Sequence, residues 1–174
     1  MAITHTLVPN QMITSDNLAG PLSIALTELS DGDTGTGIQA DPANGLAIFA
    51  MSDLDNSQVT NGSTIAINLK SQVDTKNTIE LSVSYNGGDS YIALAEYVTS
   101  GDNESSFVFA TYNAASEGGN TDELNLEQVD AMIIAVQISL GIIHDLNVTI
   151  DDGTGGRIRV SEGRVLFREG RIRI

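Results

Sequence analysis

The chain has 174 residues, no cysteine, no tryptophan and a formal net charge of −15. This length fits one domain with a sizeable core, and the missing cysteines exclude disulfides and thiolate metal sites. A body this acidic repels nucleic acid and anionic membranes, so we expect it to bind neither. There is no run of 18 apolar residues for a transmembrane helix. Residues 1–11 also lack the basic and apolar regions of a secretory signal, so we expect synthesis in a cytoplasm.

Short segments of alternating apolar and polar residues recur along the chain, with Gly, Asn, Asp and Ser clusters between them. Alternation with a period of two is typical of half-buried strands, and the intervening residues favour turns. Asn86-Gly87-Gly88 is a hairpin signal. Residues 121–129 have the spacing of one short helical turn. We predict strands at 23–29, 45–51, 63–70, 78–85, 91–99, 106–112, 131–140 and 146–150.

These strands define the predicted fold class. Residues 131–140 are apolar on both sides, which favours a central strand covered on both faces. About eight short antiparallel strands in two sheets predict an all-β fold, an antiparallel jelly-roll-like β-sandwich. We assign this body to residues 1–154. Residues 155–174 form a second unit, a C-terminal extension of short repeated strands.

The C-terminal extension repeats a seven-residue unit as GRIRVSE, GRVLFRE and a shortened GRIRI. It contains all six arginines of the protein against two glutamates, a charge of +4, whereas residues 1–156 carry −19. Alternation places the arginines on one face and apolar residues on the other. Arg157, Arg159, Arg164, Arg168, Arg171 and Arg173 form the first set, and Ile158, Val160, Val165, Phe167, Ile172 and Ile174 form the second.

Strands of about five residues are not stable alone in water, so the apolar face of the extension has to be covered. The cover is either the body of the same chain or other copies, and the sequence leaves both open. We predict an oligomerisation or docking element, most simply in a homotrimer. Two alternatives for the arginines are contact with phosphates and plain solvation of an exposed face.

Catalytic motifs are weak in this sequence. His5 and His144 lie 139 positions apart with no third ligand spaced to join either, and a structural role is expected for His144, which lies between apolar Ile143 and Leu146. No Gly-x-Ser-x-Gly elbow or phosphate-binding loop occurs. Because 23 residues are acidic, finding a carboxylate pair suited to glycoside hydrolysis would not indicate that activity. From these missing motifs we expect no enzymatic activity. Tyr85, Tyr91, Tyr97 and Tyr112 are the candidates for a sugar-binding platform, with core packing as the alternative.

Two acidic turns are candidate calcium sites. Asp31 and Asp33 share one glycine-rich turn, and Asp151 and Asp152 precede Gly153. Calcium takes six to eight oxygen ligands, and carboxylates are among the ligands it prefers. The alternative is that Asp and Gly were selected at these turns for backbone geometry. A metal bound here would be structural, and no other cofactor is expected.

The order of several segments carries a resemblance. Leu7-Val8-Pro9 is followed by the segment Leu22–Glu28 and the acidic turn Ser30-Asp31-Gly32-Asp33. Paired strands come next, then Leu124-Asn125-Leu126 before 129–132, and last a strand ending Val148-Thr149-Ile150. Over about residues 7–150 this order resembles the small jelly-roll modules of tailed-bacteriophage virion proteins. The Gly-Arg repeat is similar to the short intertwined β-structures with which phage proteins trimerise. Aromatic residues are sparser here than in such modules.

The resemblance implies a non-enzymatic virion structural protein that decorates or stabilises a phage head or appendage. Its partners would be further copies and other virion proteins, and its location the virion. The alternative is a carbohydrate-binding adhesin module of a phage tail fibre, which would bind host glycan through an exposed tyrosine patch. A calcium-dependent polysaccharide hydrolase is a third and weaker alternative.

Overall fold

The computed structural model describes residues 3–16, 18–19, 26, 29–31, 36–40, 45–55, 59–139, 141–153, 159–161 and 164–166. Most of these residues lie in strands. No helix in this part of the chain is long and apolar enough to cross a membrane. The elements are β1 Thr4–Leu7, β2 Pro9–Asp16, β3 Leu18–Ala19, β4 Ile38–Ala40, β5 Gly45–Met51, β6 Thr64–Ser84, β7 Ile92–Tyr112, β8 Glu123–Leu124, α1 Leu126–Asp130, β9 Ile133–Ile138, β10 Gly141–Asp151, β11 Arg159–Ser161 and β12 Arg164–Leu166.

The long antiparallel hairpin of β6 and β7 belongs to both sheets of the body. In the first sheet, the beginning of β6 pairs with β10, whose other edge pairs with β1 and β4. In the second sheet, the end of β6 pairs with β9, which is followed by β5 and then β2. β3 pairs with β4, and β8 makes a short parallel pairing with β7. All pairings of the body except the last are antiparallel.

An irregularity in the hairpin marks the passage between the sheets. The β6–β7 register shifts between Val73 and Asn77, whose partners are Gly101 and Thr99. Extra residues on one strand of a ladder bend that strand and increase its twist. The bend therefore allows one hairpin to contribute to two layers. The first half of β6 pairs with β10 in one layer, and the second half pairs with β9 in the other.

The core lies between the inner faces of the two sheets. On β6 the alternate residues Ile65, Ile67 and Leu69 are buried before the bend, and Ile79 and Leu81 after it. This alternation is the expected consequence of burying one face of each sheet. β5, β9 and β10 add further core residues: Ala47, Phe49, Met51, Ile134, Val136, Ile138, Leu146, Val148 and Ile150. The predicted all-β antiparallel sandwich is confirmed.

Individual strands match their predictions unevenly. β5 spans Gly45–Met51 as predicted, and β9 and β10 lie within or around the predicted segments. The predicted strands 63–70 and 78–85 are parts of one strand, β6, and 91–99 and 106–112 are parts of β7. The strand predicted at 23–29 is wrong at its two described positions, because Leu26 is helical and Leu29 lies in a turn.

The prediction for 131–140 is half right. β9 is central, since it pairs with β5 on one edge and β6 on the other. Its outward face is not fully covered, because Ala135 is half-buried and Gln137 is exposed.

Predicted helical character near 121–129 is confirmed as α1, which starts at a capping box. The Asn125 side chain accepts a hydrogen bond from the Gln128 backbone N–H, and the Gln128 side chain accepts one from the Asn125 N–H.

Candidate assembly element and binding surfaces

The Gly-Arg extension contains a β-hairpin in its first two units. β11 and β12 pair only with each other among the described strands, as a separate two-stranded sheet. Val160 stands opposite Val165, and Arg159 stands opposite Leu166. Directly opposite positions of an antiparallel ladder lie on the same face. The register therefore agrees with the predicted common face of positions 160 and 165.

Of the other residues predicted for oligomerisation, one is described. Arg164 is in β12, opposite Ser161 of β11. The remaining predicted positions lie outside the described residues: Arg157, Ile158, Phe167, Arg168, Arg171, Ile172, Arg173 and Ile174. Their assignment stays a prediction.

The outward face of the second sheet forms three rows of residues that cross the strands. One row is Ala50, Ile133 and Ser84, and the next is Ile48, Ala135, Ser82 and Ala93. The third row is Leu46, Gln137, Glu80 and Glu96. The first two rows carry no charge, although the protein has a net charge of −15. We call this surface the outer face of the second sheet.

The β6–β7 loop, residues 85–91, closes one end of this outer face. The buried Ser84 Oγ donates to Asn86 Oδ1 at 2.7 Å and accepts from the Gly88 N–H at 2.9 Å. Asn86 Oδ1 also accepts from the Ser90 N–H at 3.1 Å. A Cβ added at Gly88 would lie 3.4 Å from Ile133 Cδ1. The loop therefore packs on the first row, which explains why Ile133 is only 6% exposed.

The four tyrosines separate into different environments. Tyr91 is 40% exposed, and its hydroxyl lies 3.5 Å from the Cβ that a residue at position 88 would carry. Tyr112 belongs to the core. Tyr85 is half-buried and stacks on Phe109 with ring centroids 6.0 Å apart. Of the described tyrosine side chains, only that of Tyr91 is available as a platform, while that of Tyr97 lies outside the description.

Burial also changes the acidity of Tyr85. Removal of its phenol from water raises the pKa of this residue above its usual value, and the negative charge of Asp122 raises the pKa further. Both effects penalise the phenolate. The hydroxyl therefore stays protonated across the physiological range and serves packing.

The two histidines are far apart. His144 is the extra residue at a bulge in the β10–β6 ladder, and its Nδ1 is hydrogen-bonded to the Thr36 carbonyl. His5 pairs with Ile150 at the other end of β10. Five residues of strand lie between positions 144 and 150, which places them roughly 20 Å apart. The two rings cannot share a ligand or act together on one substrate.

The acidic turns lie at opposite ends of the same strand. Asp31 Oδ2 accepts a hydrogen bond from Thr36 Oγ1 at 2.8 Å, near His144. Asp151 ends β10 and accepts from the Gly153 N–H at 3.0 Å. Within the described residues, no group of three or more His, Asp or Glu is placed to hold a metal ion. Asp33 lies outside them, so calcium at either turn stays a prediction.

A shallow open cavity of about 700 Å³ lies beside α1. Its carboxylates are Glu127 and Asp130, and Asp130 Oδ1 accepts from the Leu54 N–H at 2.9 Å. One carboxylate thus orders the loop that follows β5, while Glu127 is exposed. Neither a nucleophile nor a base adjoins them in the lining, which is completed by Ala114, Asn125, Leu126 and Ala131.

Cations are scarce on the body. It has only Lys70 and Lys76, and Lys70 Nζ lies 4.0 Å from Glu104 Oε1 across the outward face of the first sheet. An exposed pair at this distance contributes little to stability. The acidic charge of the body is therefore almost uncompensated within residues 1–156.

Comparison with known proteins does not assign the chain to a family. No protein-family model matches the sequence, and no curated protein matches it. Among solved structures, the chain is similar to TmCBM61, solved in complex with β-1,4-galactotriose. The TM-score is 0.35 at 11% identity, over 82% of this chain and 86% of that chain. A TM-score of this size does not establish a shared topology, and nothing about function follows from it.

Sequence reasoning missed the outer face of the second sheet. Its members come from four strands, and only the inter-strand register brings them together. The available signal was the small outward residues of two segments, Ser82 and Ser84 in one and Ala135 in the other. Such residues leave a sheet face shallow and uncharged, but their alignment across strands is not written in any one segment.

Proposed function

We propose that this protein is a non-enzymatic structural subunit whose copies are joined through the C-terminal Gly-Arg extension, most simply as a trimer. The observation that carries the proposal is the β11–β12 hairpin, which forms its own sheet with Val160 opposite Val165. A two-stranded sheet of three-residue strands needs cover from elsewhere. The resemblance of residues 7–150 to phage virion modules supports a place on a phage particle, in contact with other virion proteins.

Assembly would be stabilised mainly by burial of the apolar side chains of the extension. Each fully buried Val, Ile or Phe contributes roughly 1.5–3 kcal/mol before the entropy of ordering the strand is subtracted. Arginines would pair with carboxylates of an acidic body that carries −19 over residues 1–156. Single exposed ion pairs contribute little, so the charge effect requires several pairs together.

Two neighbouring positions of β12 provide a matched test in the full chain. Val165 lies opposite Val160, whereas Leu166 lies opposite Arg159 on the other face. We expect Val165→Asn to convert the oligomer to monomer, and Leu166→Asn to leave it intact. Light scattering at low and high salt measures both, with circular dichroism to verify the fold. A monomeric wild-type protein, or an oligomer unaffected by either substitution, would contradict the proposal.

Removing the extension provides the complementary measurement. Among the described strands, those of the body pair with one another without β11 and β12, so a chain ending at position 154 should remain folded and become monomeric. The virion location has its own test, because mass spectrometry of purified phage particles from the source should detect the chain. Its absence from such particles would leave the assembly mechanism but remove the virion role.

A second candidate is a glycan-binding adhesin, favoured by the exposure of Tyr91. Its ring adjoins a loop ordered by the hydrogen bond from Asn86 Nδ2 to Ser90 Oγ at 3.0 Å, with Asp89 beside it. An aromatic face with ordered polar groups beside it is the chemistry that binds sugar rings. Glycan-array binding that is lost in Tyr91→Ala and kept in Val108→Ala, an exposed residue elsewhere, would favour this function. No binding by the wild-type protein would exclude the glycans tested.

A further inference from the structure

The outer face of the second sheet has two features that distinguish it from an ordinary solvated surface. Its two uncharged rows consist of small and aliphatic residues, and Ile48 in their centre is half-buried. At the end away from the 85–91 loop, Glu80 and Glu96 stand opposite each other, and both are exposed. Like charges directly opposite on neighbouring strands are destabilising. A cationic partner at this end would remove that repulsion.

The Gly-Arg extension is complementary to this face in charge, pattern and size. It alternates arginine with apolar residues and carries all six arginines of the chain. The outer face spans four strands, roughly 14 Å, and each three-residue strand of the β11–β12 hairpin is roughly 10 Å long, so the hairpin fits within it. An apolar ladder face centred on Val160 and Val165 could therefore cover the second row, which the 85–91 loop leaves open, while arginines reach Glu80 and Glu96.

We propose that the outer face of the second sheet is the docking site for the Gly-Arg extension of a second copy of this chain. This inference rests on the proposed function, in which the extension joins copies, and it names the surface that the extension covers. A head-to-tail contact of this kind closes into a ring when the rotation between copies permits, which agrees with a trimer.

A second copy is chosen over the extension's own body because, among the described strands, β11 and β12 share no sheet with the body. Gly153 follows β10, whose last residues pair with Thr4 and Thr64 in the first sheet, in the opposite layer from the outer face. Docking within one chain is the competing arrangement, and cross-linking separates the two.

The absence of cysteine from the sequence permits a direct cross-linking test. Ser82 lies at the centre of the outer face, and Ser→Cys is nearly isosteric. A Ser82→Cys, Val160→Cys double variant of the full chain is oxidised at low protein concentration and analysed by non-reducing electrophoresis. Ser106 is an exposed serine on the outward face of the first sheet, so Ser106→Cys with Val160→Cys is the matched control.

The expected result is covalent dimers and trimers of the Ser82 variant, with peptide mapping that shows an 82–160 bond, and mainly uncross-linked Ser106 variant. Three results would overturn the proposal: equal cross-linking of both variants, a bond closed within one chain, or only 160–160 bonds. Light scattering of the reduced variants measures their oligomeric state, and so distinguishes a wrong docking site from a wrong proposed function. An oligomer without 82–160 bonds keeps the extension as the joining element, whereas a monomer rejects both.

A charge variant provides a test that needs no oxidation. Glu80→Lys with Glu96→Lys should shift dissociation of the oligomer to higher protein concentration, because the extension would then meet positive charge. Glu104→Lys, which alters an exposed carboxylate on the first sheet, should not. Equal effects of the two changes would mean that net charge, rather than this face, controls assembly, and would overturn the docking site.

Discussion

Replacement of Ser84 by alanine should remove the main polar anchor of the β6–β7 loop. Ser84 is fully buried at the end of β6. Its hydroxyl donates to Asn86 Oδ1 at 2.7 Å and accepts from the N–H groups of Gly88 at 2.9 Å and Asn86 at 3.4 Å. Alanine keeps the backbone and the packing volume nearly unchanged, so the variant isolates the hydrogen bonds.

The magnitude follows from those contacts. The bond to Asn86 Oδ1 and the bond from Gly88 each contribute about 1 kcal/mol net, and the longer bond from Asn86 is weaker. Asn86 is exposed and can be solvated in the variant. The Gly88 N–H packs near Ile133 and would lose its partner in a half-buried position, which costs about 1 kcal/mol more. We therefore expect a loss of roughly 2–3 kcal/mol in the free energy of unfolding.

Urea denaturation measures this loss, with Ser82→Ala as the matched control. Ser82 lies on the same strand and the same face and is half-buried, and its hydroxyl has no hydrogen-bond partner among the described residues. We expect the control to change stability by less than about 0.5 kcal/mol. The midpoint should fall without a change in slope if only stability is altered. A Ser84 variant as stable as the Ser82 variant would refute the role assigned to the loop's hydrogen bonds.

Three further variants test other parts of the structure. Burial and Asp122 raise the pKa of Tyr85, so its contribution to stability should be constant below about pH 10 and fall above it as the unfolded chain ionises first. Urea titrations should show a smaller loss above pH 10 in Tyr85→Phe than in wild type. Phe49→Ala, at a fully buried core position, should cost about 3–5 kcal/mol in the same assay. Asn125→Ala removes the N-cap of α1 and should cost about 0.5–2 kcal/mol; no loss would mean that neighbouring packing alone holds the helix.

Strands with strong local patterns could be predicted from the sequence. β5 alternates buried and half-buried positions from Gly45 to Met51, and its predicted bounds are those observed. The same alternation located the two halves of β6 around Ile67 and Leu81. In each case the signal was a single buried face, which period-two alternation reports directly.

The continuity of β6 and β7 could not be predicted in the same way. Residues 71–77 are mostly polar, and 99–106 are polar throughout except for Gly101, so both stretches have the composition of turns. They remain extended because they pair with each other across the bend. Pairing between segments thirty residues apart supplies the hydrogen bonds that local composition does not favour, and tertiary context overrides propensity.

The candidate site shows the same division between local and long-range information. The amphipathic Gly-Arg extension is visible in one short stretch of sequence, because alternation, arginine content and glycine spacing are local properties. The surface proposed to receive it depends on the register that aligns Ser82 with Ala135 and Ala93, on three strands. A shift of one residue in any of these strands would exchange its inward and outward sets.

The two candidate functions use opposite ends of one sheet face, so they can be separated in a single set of variants. Tyr91 is the last residue of the loop that covers Ile133 and Ser84, whereas Glu80 and Glu96 lie at the other end. Three residues of strand between positions 80 and 84 place the two ends roughly 13 Å apart. A protein that binds glycan through Tyr91 should keep its oligomeric state in Tyr91→Ala. Loss of assembly in that variant would mean instead that the loop belongs to the docking surface. The adhesin hypothesis would then be without support, because Tyr91 is the only exposed tyrosine among the described side chains.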